Sequence, residues 1–495
     1  QYAMWASEPV PFDPMEKTLH KAYENNTVLD ERASFAMVHE YPLEGKPPMM
    51  THIFENKEGR RIIAAKGAPE AIIAASQLTE DEKKEVLEQT NRLAKKGYRV
   101  LGVANASVNE RPFPEKQREL SFRFLGLIAF YDPPKSNIQM VFQQFLQAGI
   151  AIKIITGDNA VTTTAVAKQA GLANSDNVLD GAQLMDLDKT EMQRNVSSTH
   201  IFTRMFPEAK LAVINTLKNN REIVAMTGDG VNDAPALKAA HIGIAMGNKG
   251  TELAKQSAAL ILADDDLSKM ADAVATGRRI YTNIKKAVQY IISIHIPIIL
   301  TVSLPLFLGW VYPAIFTPVH VIFLEFIMGP TCSVVYENEP MEKNAMKVPP
   351  RPFTATFLSW SELAVSIVQG LAITTGILFM YRYGVANGYD EAGTRSLVFV
   401  TLILANIFLT LVNRSFYFSL FSQMRNRNPL MLYIISGTLL ITAVILFVPP
   451  VALFFKIVPL SVPAFLICCF VSGISVLWFE IWKWYNRQTN GGANH

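Results

Sequence analysis

The chain has 495 residues, of which 50% are hydrophobic, so it is too long for one compact domain and unusually apolar for a water-soluble protein. The formal net charge is only +3, which gives no reason to propose nucleic acid as a partner. The three cysteines, Cys332, Cys468 and Cys469, lie in apolar runs, which argues against a disulfide framework or a thiolate zinc site. Because charged residues are common before about residue 285 and apolar runs dominate after it, we expect a soluble half and a membrane half.

Residues 1 to about 128 show the pattern of strands with interspersed helices, which predicts an α+β domain. No charged-then-apolar leader follows Gln1, so we expect no signal peptide. The most specific segment is RIIAAKGAPE (61–70), a short apolar strand that is followed by a helix start at Pro69. Turn and cap formation explain its glycine, proline and glutamate, but they leave Lys66 unexplained.

The segment LGLIAFYDPPK (125–135) leaves a buried strand and enters a Pro-Pro break, which predicts a domain boundary near residue 128. Helix and strand patterns then alternate in IQMVFQQFLQAG, IAIKIITGDN and AVTTTAVAKQAG, which predicts a parallel α/β sheet. Thr156, Gly157 and Asp158 follow one of these strands and precede a helix. Hydroxyl and amide donors at such a position can hold a phosphoryl oxygen.

The stretch IVAMTGDGVND (223–233) repeats this arrangement. Its first three residues, Ile-Val-Ala, predict a buried parallel strand, and the glycines of the next turn let backbone amides approach an anion. Oxygen ligands at the carboxyl end of a strand are what Mg²⁺ and a phosphoryl group require. We therefore predict a catalytic group of Asp229, Asn232 and Asp233, with Asp229 as the first candidate for Mg²⁺ and Asp233 as the second. A turn that only caps a helix would explain an isolated GDG.

The membrane half begins with a helix pattern that starts near Leu267 and continues without a stop through AVQYIISIHIPIILTVSLPLFL, as expected of a rod that carries motion into a bilayer. Further apolar spans of roughly 20 residues predict about six transmembrane helices in all. These spans are 317–336, 360–380, 396–413, 431–449 and 463–482. Positive residues in alternate loops predict which side faces the cytosol; they are Lys343, Lys347, Arg351, Arg414, Arg425, Arg427, Lys483 and Arg487.

Ionisable side chains inside apolar spans are costly, so they are candidates for an ion site. His295 lies two residues before Pro297, whose missing amide can free a carbonyl for an ion, and Glu325 lies in the middle of VIFLEFIMGP. These two residues are the best predicted pair for a transported ion. Asn406 is a weaker candidate, because a hydrogen bond between helices explains it equally well.

The strings KGAPE, DPP followed by a base, TGDN and TGDGVND resemble the motifs of the P-type cation-transporting ATPases, and this resemblance extends through most of the chain. It implies three parts. Residues 1–128 would be an incomplete α+β nucleotide-binding domain, and residues 129–284 would be the C-terminal part of a haloacid-dehalogenase-like α/β phosphorylation domain with a stalk. Residues 285–495 would form an all-α bundle of about six transmembrane helices. The implied cofactors are ATP and Mg²⁺.

The resemblance also implies roles for single residues. It assigns Lys66 and Gly67 to the nucleotide pocket, with Glu16 near the adenine and Tyr41 stacked on it, although a solvated carboxylate and a core tyrosine are the alternatives. Arg99 would lie near the nucleotide. Two further matches are the hinge residues Asp132 and Lys135, and Lys210 of FTRMFPEAK, which would neutralise phosphate charge.

The family's nucleophilic aspartate lies in DKTGT, and neither this string nor TGES occurs in the chain. Asp188-Lys189-Thr190 is followed by Glu191 and fits a capped helix instead. The chain thus resembles the C-terminal part of a pump, and we expect that it cannot form the phosphoenzyme alone, so the missing N-terminal part is a candidate partner.

Two alternatives to an ATP-driven pump remain open. One is a non-catalytic membrane subunit or pseudo-enzyme that binds nucleotide, and the other, less favoured, is a membrane-anchored phosphatase of the dehalogenase-like fold. Calcium is a doubtful cargo, because Ile298 and Gly329 stand where the calcium-pump subfamily carries carboxylates and His295 stands where it carries an amide. We expect a multi-pass protein, with the plasma membrane as the location and residues 1 to about 284 on the cytosolic side.

Overall fold

The computed structural model describes residues 1–11, 13–45, 47–108, 112–172, 175–424 and 428–490. The chain divides into two compact units, Gln1–Lys269 and Met270–His495. The boundary that we predict between nucleotide and phosphorylation domains falls inside the first unit and stays a prediction there.

The first part of the first unit is built on a five-stranded antiparallel sheet with the strand order β1-β2-β3-β4-β5. Its strands are β1 (Phe35–Glu44), β2 (Met49–Asn56), β3 (Arg61–Gly67), β4 (Arg99–Ala106) and β5 (Phe122–Phe130). Its helices are α1 (Tyr2–Trp5), α2 (Pro14–Asn26), α3 (Pro69–Ala75) and α4 (Glu80–Ala94). One sheet face packs with α1 around Trp5, and the other packs with α3 around Ile72. Thr79 and Glu82 have the spacing of a capping box, and at the start of α4 their side chains bond to each other's backbone amides.

The second part of this unit has two three-stranded parallel sheets, with strand orders β6-β8-β7 and β11-β10-β9. The strands are β6 (Ile154–Ile155), β7 (Val178–Asp180), β8 (Ile201–Thr203), β9 (Ala225–Gly228), β10 (Ile242–Met246) and β11 (Leu260–Leu262). The helices are α5 (Ile138–Gln147), α6 (Ala160–Gln169), α7 (Gly181–Asp186), α8 (Lys189–Ser198), α9 (Pro207–Asn219), α10 (Ala234–Ala239) and α11 (Glu252–Ser257). The predicted alternation of helices and parallel strands is confirmed.

The prediction for the start of β9 needs correction. Ile223 is 57% exposed, and the strand begins only at Ala225, so Ile223 is not part of a buried strand. Asp188 is confirmed as a helix cap, because its side chain accepts hydrogen bonds from the amides of Thr190 and Glu191, each at 2.8 Å.

The second unit is helical. Its first helix begins two residues earlier, at Ser268 and Lys269, which belong to the first unit. Its helices are α12 (Ser268–Phe307), α13 (Pro318–Pro330), α14 (Trp360–Ala386), α15 (Glu391–Val412), α16 (Leu420–Met424), α17 (Pro429–Phe447), α18 (Pro449–Phe454) and α19 (Val462–Asn490). A π-helical segment, Thr331–Tyr336, follows α13 directly. Six helices of the described chain are long and apolar enough to cross a membrane, as predicted. The predicted uninterrupted rod is the 40-residue helix α12, and its role in carrying motion stays a prediction.

Two of the positive residues that the sequence suggests as loop charges are buried instead. Arg414 is 2% exposed and pairs with Glu339 at 2.8 Å, and Lys483 is paired with Glu480 at 2.6 Å. Arg414 thus joins two distant segments of the helical unit, and Lys483 pairs within α19, so neither carries much weight in assigning a cytosolic side. Arg425 and Arg427 lie outside the described residues.

Candidate functional site

The end of β3 places Lys66 beside Glu16. The Lys66 ammonium lies 2.5 Å from Glu16 Oε1 and 2.7 Å from the hydroxyl of Ser7, and about one tenth of each charged side chain is exposed. Asp13 caps the N-terminus of α2 and so fixes the helix turn that carries Glu16. The second carboxylate oxygen of Glu16 is buried, with no hydrogen-bond partner among the described residues. The structure thus brings together two of the predicted nucleotide-binding residues, which are 50 positions apart.

The structure gives Gly67 and Tyr41 other roles. A Cβ on Gly67 would lie 2.6 Å from the Cα of Met49, so this glycine allows β2 to approach β3 closely. Tyr41 is 4% exposed and donates a hydrogen bond to the carbonyl of Pro114 at 2.6 Å. In β2, Thr51 is paired with Tyr41, and its neighbour Met50 is paired with Lys66. Because neighbouring residues of a strand point to opposite faces, Tyr41 and Lys66 lie on opposite faces of the sheet. The prediction that Tyr41 stacks on an adenine beside Lys66 therefore lacks structural support.

The remaining nucleotide candidates lie at the junction with the parallel sheets. Arg99 is half exposed, and its guanidinium lies 3.4 Å from the carboxylate of Asp158. The Lys135 ammonium donates to the backbone carbonyl of Asp265, and Asp132 is exposed. Lys135 precedes α5 and Asp265 follows β11, so this contact joins the two ends of the part with the parallel sheets. The sequence alone does not show this structural role.

A neighbouring carboxylate, Asp266, strengthens that tie. Its side chain accepts hydrogen bonds at 2.9 Å from both the amide of Ser268 and the side chain of Asn137. The hydrogen bond from the Ser268 amide lowers the pKa of Asp266 to about 2, so this carboxylate stays ionised at neutral pH.

The turn after β9 is organised around Asp233. One oxygen of its buried carboxylate lies 2.6 Å from the ammonium of Lys210, which is in the first turn of α9. The other oxygen accepts the backbone amides of Asp229 and Gly230, at 3.3 and 3.2 Å. Both oxygens of Asp233 thus accept hydrogen bonds that hold Lys210 and the turn, and its role as a possible second Mg²⁺ ligand stays a prediction.

Asp229 and Asn232 are exposed at the same turn. No hydrogen bond or ion pair to the Asp229 carboxylate is found in the described part of the chain, whereas its backbone carbonyl accepts from the amide of Thr251 at 2.8 Å. One uncommitted carboxylate at a strand end fits Mg²⁺, which usually takes one or two protein carboxylates and completes its shell with water and phosphate oxygens. Asp229 is therefore the residue that would hold this ion.

Gly228 provides a test of how tightly the turn after β9 is packed. A Cβ at Gly228 would lie 2.6 Å from the Cβ of Asp233, whereas one at Gly230 would come no closer than 3.6 Å to that carboxylate. We expect Gly228→Ala to lower the free energy of unfolding by about 1–3 kcal/mol, because Asp233 must move. Gly230→Ala is the matched control and should have a smaller effect in thermal denaturation of the full chain. Equal effects of the two substitutions would contradict the packing described for Asp233.

The main chain of Thr156 is hydrogen-bonded to β8 and to the short segment that leads from β8 to α9. The amide of Met205 donates to the carbonyl of Thr156 at 2.9 Å, and α9, which carries Lys210, begins two residues later at Pro207. The hydroxyl of Thr156 accepts the amide of Asp158 at 3.1 Å, and Gly157 is exposed. The structure therefore brings the TGD turn after β6 to the first turn of α9, where Lys210 meets Asp233.

Two residues beside these turns could not be identified from the sequence alone. Ser7 accepts from Lys66, and only the structure reveals this contact because Ser7 lies in an irregular segment. Arg204 has a positive φ of 49°, its amide donates to the carbonyl of Asp158, and its guanidinium lies 3.5 Å from Glu70. It lines a cavity of about 360 Å³ together with Glu70 and Asp180. A strained backbone at a position with no glycine marks Arg204 as functionally interesting, and no sequence pattern reports it.

In the helical unit, the two side chains predicted for the transported ion lie next to each other, and their role in ion binding stays a prediction. The Nε2 atom of His295 in α12 lies 3.1 Å from a carboxylate oxygen of Glu325 in α13, and both side chains are partly exposed. The other ring nitrogen of His295 is 2.8 Å from the carbonyl of Ile291, one turn earlier. Asn406 of α15 accepts a hydrogen bond from Tyr290 of α12 in the buried core. The alternative role of Asn406 as a contact between helices is thus the one observed.

Comparison with known proteins identifies three family regions. Residues 12–137 match the P-type ATPase cytoplasmic domain N, residues 208–286 match the haloacid dehalogenase-like hydrolases, and residues 313–485 match the cation transporting ATPase C-terminus. The similarity to curated proteins extends over nearly the whole chain. A calcium-transporting ATPase of Bacillus subtilis is 29% identical over 91% of this chain and 52% of its own length. Calcium-transporting ATPase 1 of Saccharomyces cerevisiae is 28% identical over 97% of this chain and 52% of its own.

A third relative, calcium-transporting ATPase 1 of Lactococcus lactis, is 31% identical over 78% of this chain and 45% of its own length. The chain therefore spans about half the length of the curated relatives that it matches.

Proposed function

Because the chain belongs to the P-type cation-transporting ATPases, we propose that it contributes the nucleotide, Mg²⁺ and C-terminal membrane parts of an ATP-driven cation pump that works through an aspartyl-phosphate. The single observation that carries this proposal is the Lys210–Asp233 pair at the end of β9, beside an uncommitted Asp229. A fixed cation next to a carboxylate that is free to hold Mg²⁺ is what transfer of a phosphoryl group requires.

We propose that ATP contacts the pocket of Lys66 and Glu16. The buried oxygen of Glu16 without a partner among the described residues and the third donor of Lys66 would bond polar groups of a ligand that opens this pocket. Arg99, beside Asp158, would contact the phosphate end. Asp132 and Lys135 stay weaker candidates, since the contact of Lys135 with Asp265 already explains its position.

The sheet edges support a nucleophile from outside this chain. Among the described residues, β6 is paired only with β8 and β9 only with β10, so each has an open edge, and each ends in the sequence Thr-Gly-Asp. Side chains from both three-stranded sheets meet in one core cluster with α9. We propose that a strand of another segment, carrying the reactive aspartate, pairs with these edges.

The proposed chemistry assigns one task to each group. The aspartate oxygen of the incoming strand forms a bond to the γ-phosphorus while the bond to the bridging oxygen breaks, and ADP leaves with the bonding electrons. Lys210 neutralises charge on the equatorial oxygens, and Asp233 holds the Lys210 ammonium in place. The hydroxyl of Thr156 and the amides of its turn contact the phosphoryl group. Asp229 would hold Mg²⁺, which supplies charge neutralisation when bound.

We propose the His295–Glu325 pair as part of the site for the transported cation. One carboxylate and one imidazole are few ligands for Ca²⁺, which takes 6 to 8 oxygens, and an imidazole favours transition metals or protons. The names of the relatives favour calcium, whereas these two side chains favour a different or additional cation.

Direct cation binding tests this site without any need for turnover. In the detergent-solubilised chain, Glu325→Gln and His295→Ala should each weaken equilibrium binding of the cation by roughly 10-fold or more, because each removes one of the few ligands. Glu337→Gln, which changes an exposed glutamate near the end of the π-helical segment, is the matched control. Unchanged binding in both His295→Ala and Glu325→Gln would remove these residues from the site and contradict the transport proposal.

A non-catalytic, nucleotide-binding membrane subunit is the second candidate function, because the same pocket and turns would serve it. The two candidates differ in whether supply of an aspartate-bearing strand restores phosphorylation. We further propose that residues 1 to about 284 face the cytosol and that the protein resides in the plasma membrane. Protease accessibility of the Lys66 region in sealed vesicles would test the orientation.

A further inference from the structure

A second cluster of potential ligands lies on the sheet face that carries Lys66. Ligand atoms of Glu8, Glu40 and His52 all lie within 4.8 Å of one another. The His52 side chain is completely buried, whereas Glu8 is partly exposed and Glu40 is exposed. The phosphoryl-transfer and transport sites described above use none of these three residues.

The hydrogen bonding of His52 leaves one ring nitrogen without a partner. Its Nδ1 atom lies 3.1 Å from the carbonyl oxygen of Ser7, and because a carbonyl only accepts, Nδ1 must carry the hydrogen. In the neutral imidazole the Nε2 atom is then an acceptor. It is buried, and it has no hydrogen-bond partner in the described ranges. Glu8 Oε1 is the nearby carboxylate atom at 4.0 Å, which is too long for a hydrogen bond.

This arrangement matches a histidine that is prepared to bind a metal. Histidine ligands almost always donate their other ring N–H to a carbonyl, carboxylate or water, which fixes the tautomer and the ring orientation. Here the Ser7 carbonyl takes that role, and Ser7 itself is buried and held by the hydrogen bond from its hydroxyl to the carbonyl of Ala3, at 2.9 Å. A buried imidazole with an unused lone pair is otherwise unfavourable.

The sheet register places the two carboxylates correctly. Glu40 in β1 is directly paired with His52 in β2, so their side chains share one face of the sheet. Glu8 follows Ser7 in the chain, and its carbonyl is fixed by a contact at 3.0 Å with the His20 ring.

We propose that His52 Nε2, Glu8 and Glu40 bind one divalent transition-metal ion of the Zn²⁺ class, with a fourth position open to water. Two ligand atoms at about 2.0–2.2 Å from such an ion stand about 3.3–3.6 Å apart. The exposed ends of Glu8 and Glu40 therefore need to move by about 1 Å. An imidazole ligand selects this class over Mg²⁺ and Ca²⁺, so the site is chemically distinct from the one at Asp229.

Metal binding to the full chain tests the proposal. The chain in detergent is stripped with EDTA, and Zn²⁺ is added in competition with a chromophoric chelator, without nucleotide. The Glu325→Gln background weakens binding at the pair with His295, so that the tightest equivalent reports the other site. We expect one tightly bound equivalent of Zn²⁺, at least about 100-fold weaker in Glu8→Gln and in Glu40→Gln, and unchanged in Glu44→Gln, an exposed glutamate of the same strand. Neither Glu8 nor Glu40 is needed to fold the core, since both are at least partly exposed.

The melting temperature gives a second readout, because a ligand that binds only the folded protein stabilises it. Zn²⁺ should raise the melting temperature of the background protein and of Glu44→Gln, but not of Glu40→Gln. The proposal is overturned if no equivalent of Zn²⁺ binds, or if the bound equivalent survives both Glu8→Gln and Glu40→Gln.

Discussion

Replacing Lys66 with methionine is expected to weaken ATP binding by about 10- to 100-fold, because a charged hydrogen-bond donor contributes about 1.5–3 kcal/mol. The same change should destabilise the first unit by about 3–5 kcal/mol, since Glu16 would stay buried without its partner at 2.5 Å. Equilibrium binding of ATP to the full chain measures the first effect. Hydrogen exchange in α2 and β3 measures the second.

A double variant separates binding from stability. Lys66→Met combined with Glu16→Gln removes both charges. The hydrogen-exchange protection that Lys66→Met loses in α2 and β3 should therefore largely return, while ATP binding stays weak. If ATP binding recovers together with protection, Lys66 acts only through the fold, and its assignment to the nucleotide pocket is wrong.

In the helical unit, Arg414→Met is expected to cost about 3–5 kcal/mol of stability, because it leaves the Glu339 carboxylate buried without a counter-charge. Arg414 Nε and Nη2 lie 2.9 and 2.8 Å from one oxygen of Glu339, and the Asn428 side chain donates to the other at 2.9 Å. The two charged side chains are 2% and 1% exposed.

Thermal denaturation of the full chain in detergent, followed by size-exclusion chromatography, measures this loss. Arg279→Met changes an exposed arginine of α12 and is the matched control. Arg414→Met with Glu339→Gln should regain much of the lost stability. A midpoint for Arg414→Met equal to that of the control would show that the buried pair contributes nothing.

Features that depend on neighbouring residues were predictable from the sequence. The capping box of Thr79 and Glu82 and the cap formed by Asp188 need only three or four consecutive positions, and both are observed. The pairing of His295 with Glu325 was also predictable, because an isolated charged group in an apolar span needs a partner and these two were the evident candidates.

Features that depend on strand register or on distant partners were not predictable. The pairing of β1 with β2 is irregular on either side of Tyr41, which breaks the simple alternation of faces. As a result, Tyr41 and Lys66 lie on different faces of the sheet. Arg414 looks like a loop charge in the sequence because Glu339 is 75 positions away. The same reason hides the contact of Lys135 with Asp265, 130 positions away.

The most direct test of the central claim is labelling of the purified chain with [γ-³²P]ATP, comparing label bound before an acid quench with label that survives it. The account predicts that bound ATP depends on Mg²⁺ and falls in Asp229→Asn. It also predicts that no acid-stable phosphate remains on the chain, since we propose that the reactive aspartate lies on a strand from another segment. Acid-stable phosphate on one of the chain's own aspartates, or ATP binding indifferent to both Mg²⁺ and Asp229, would contradict it.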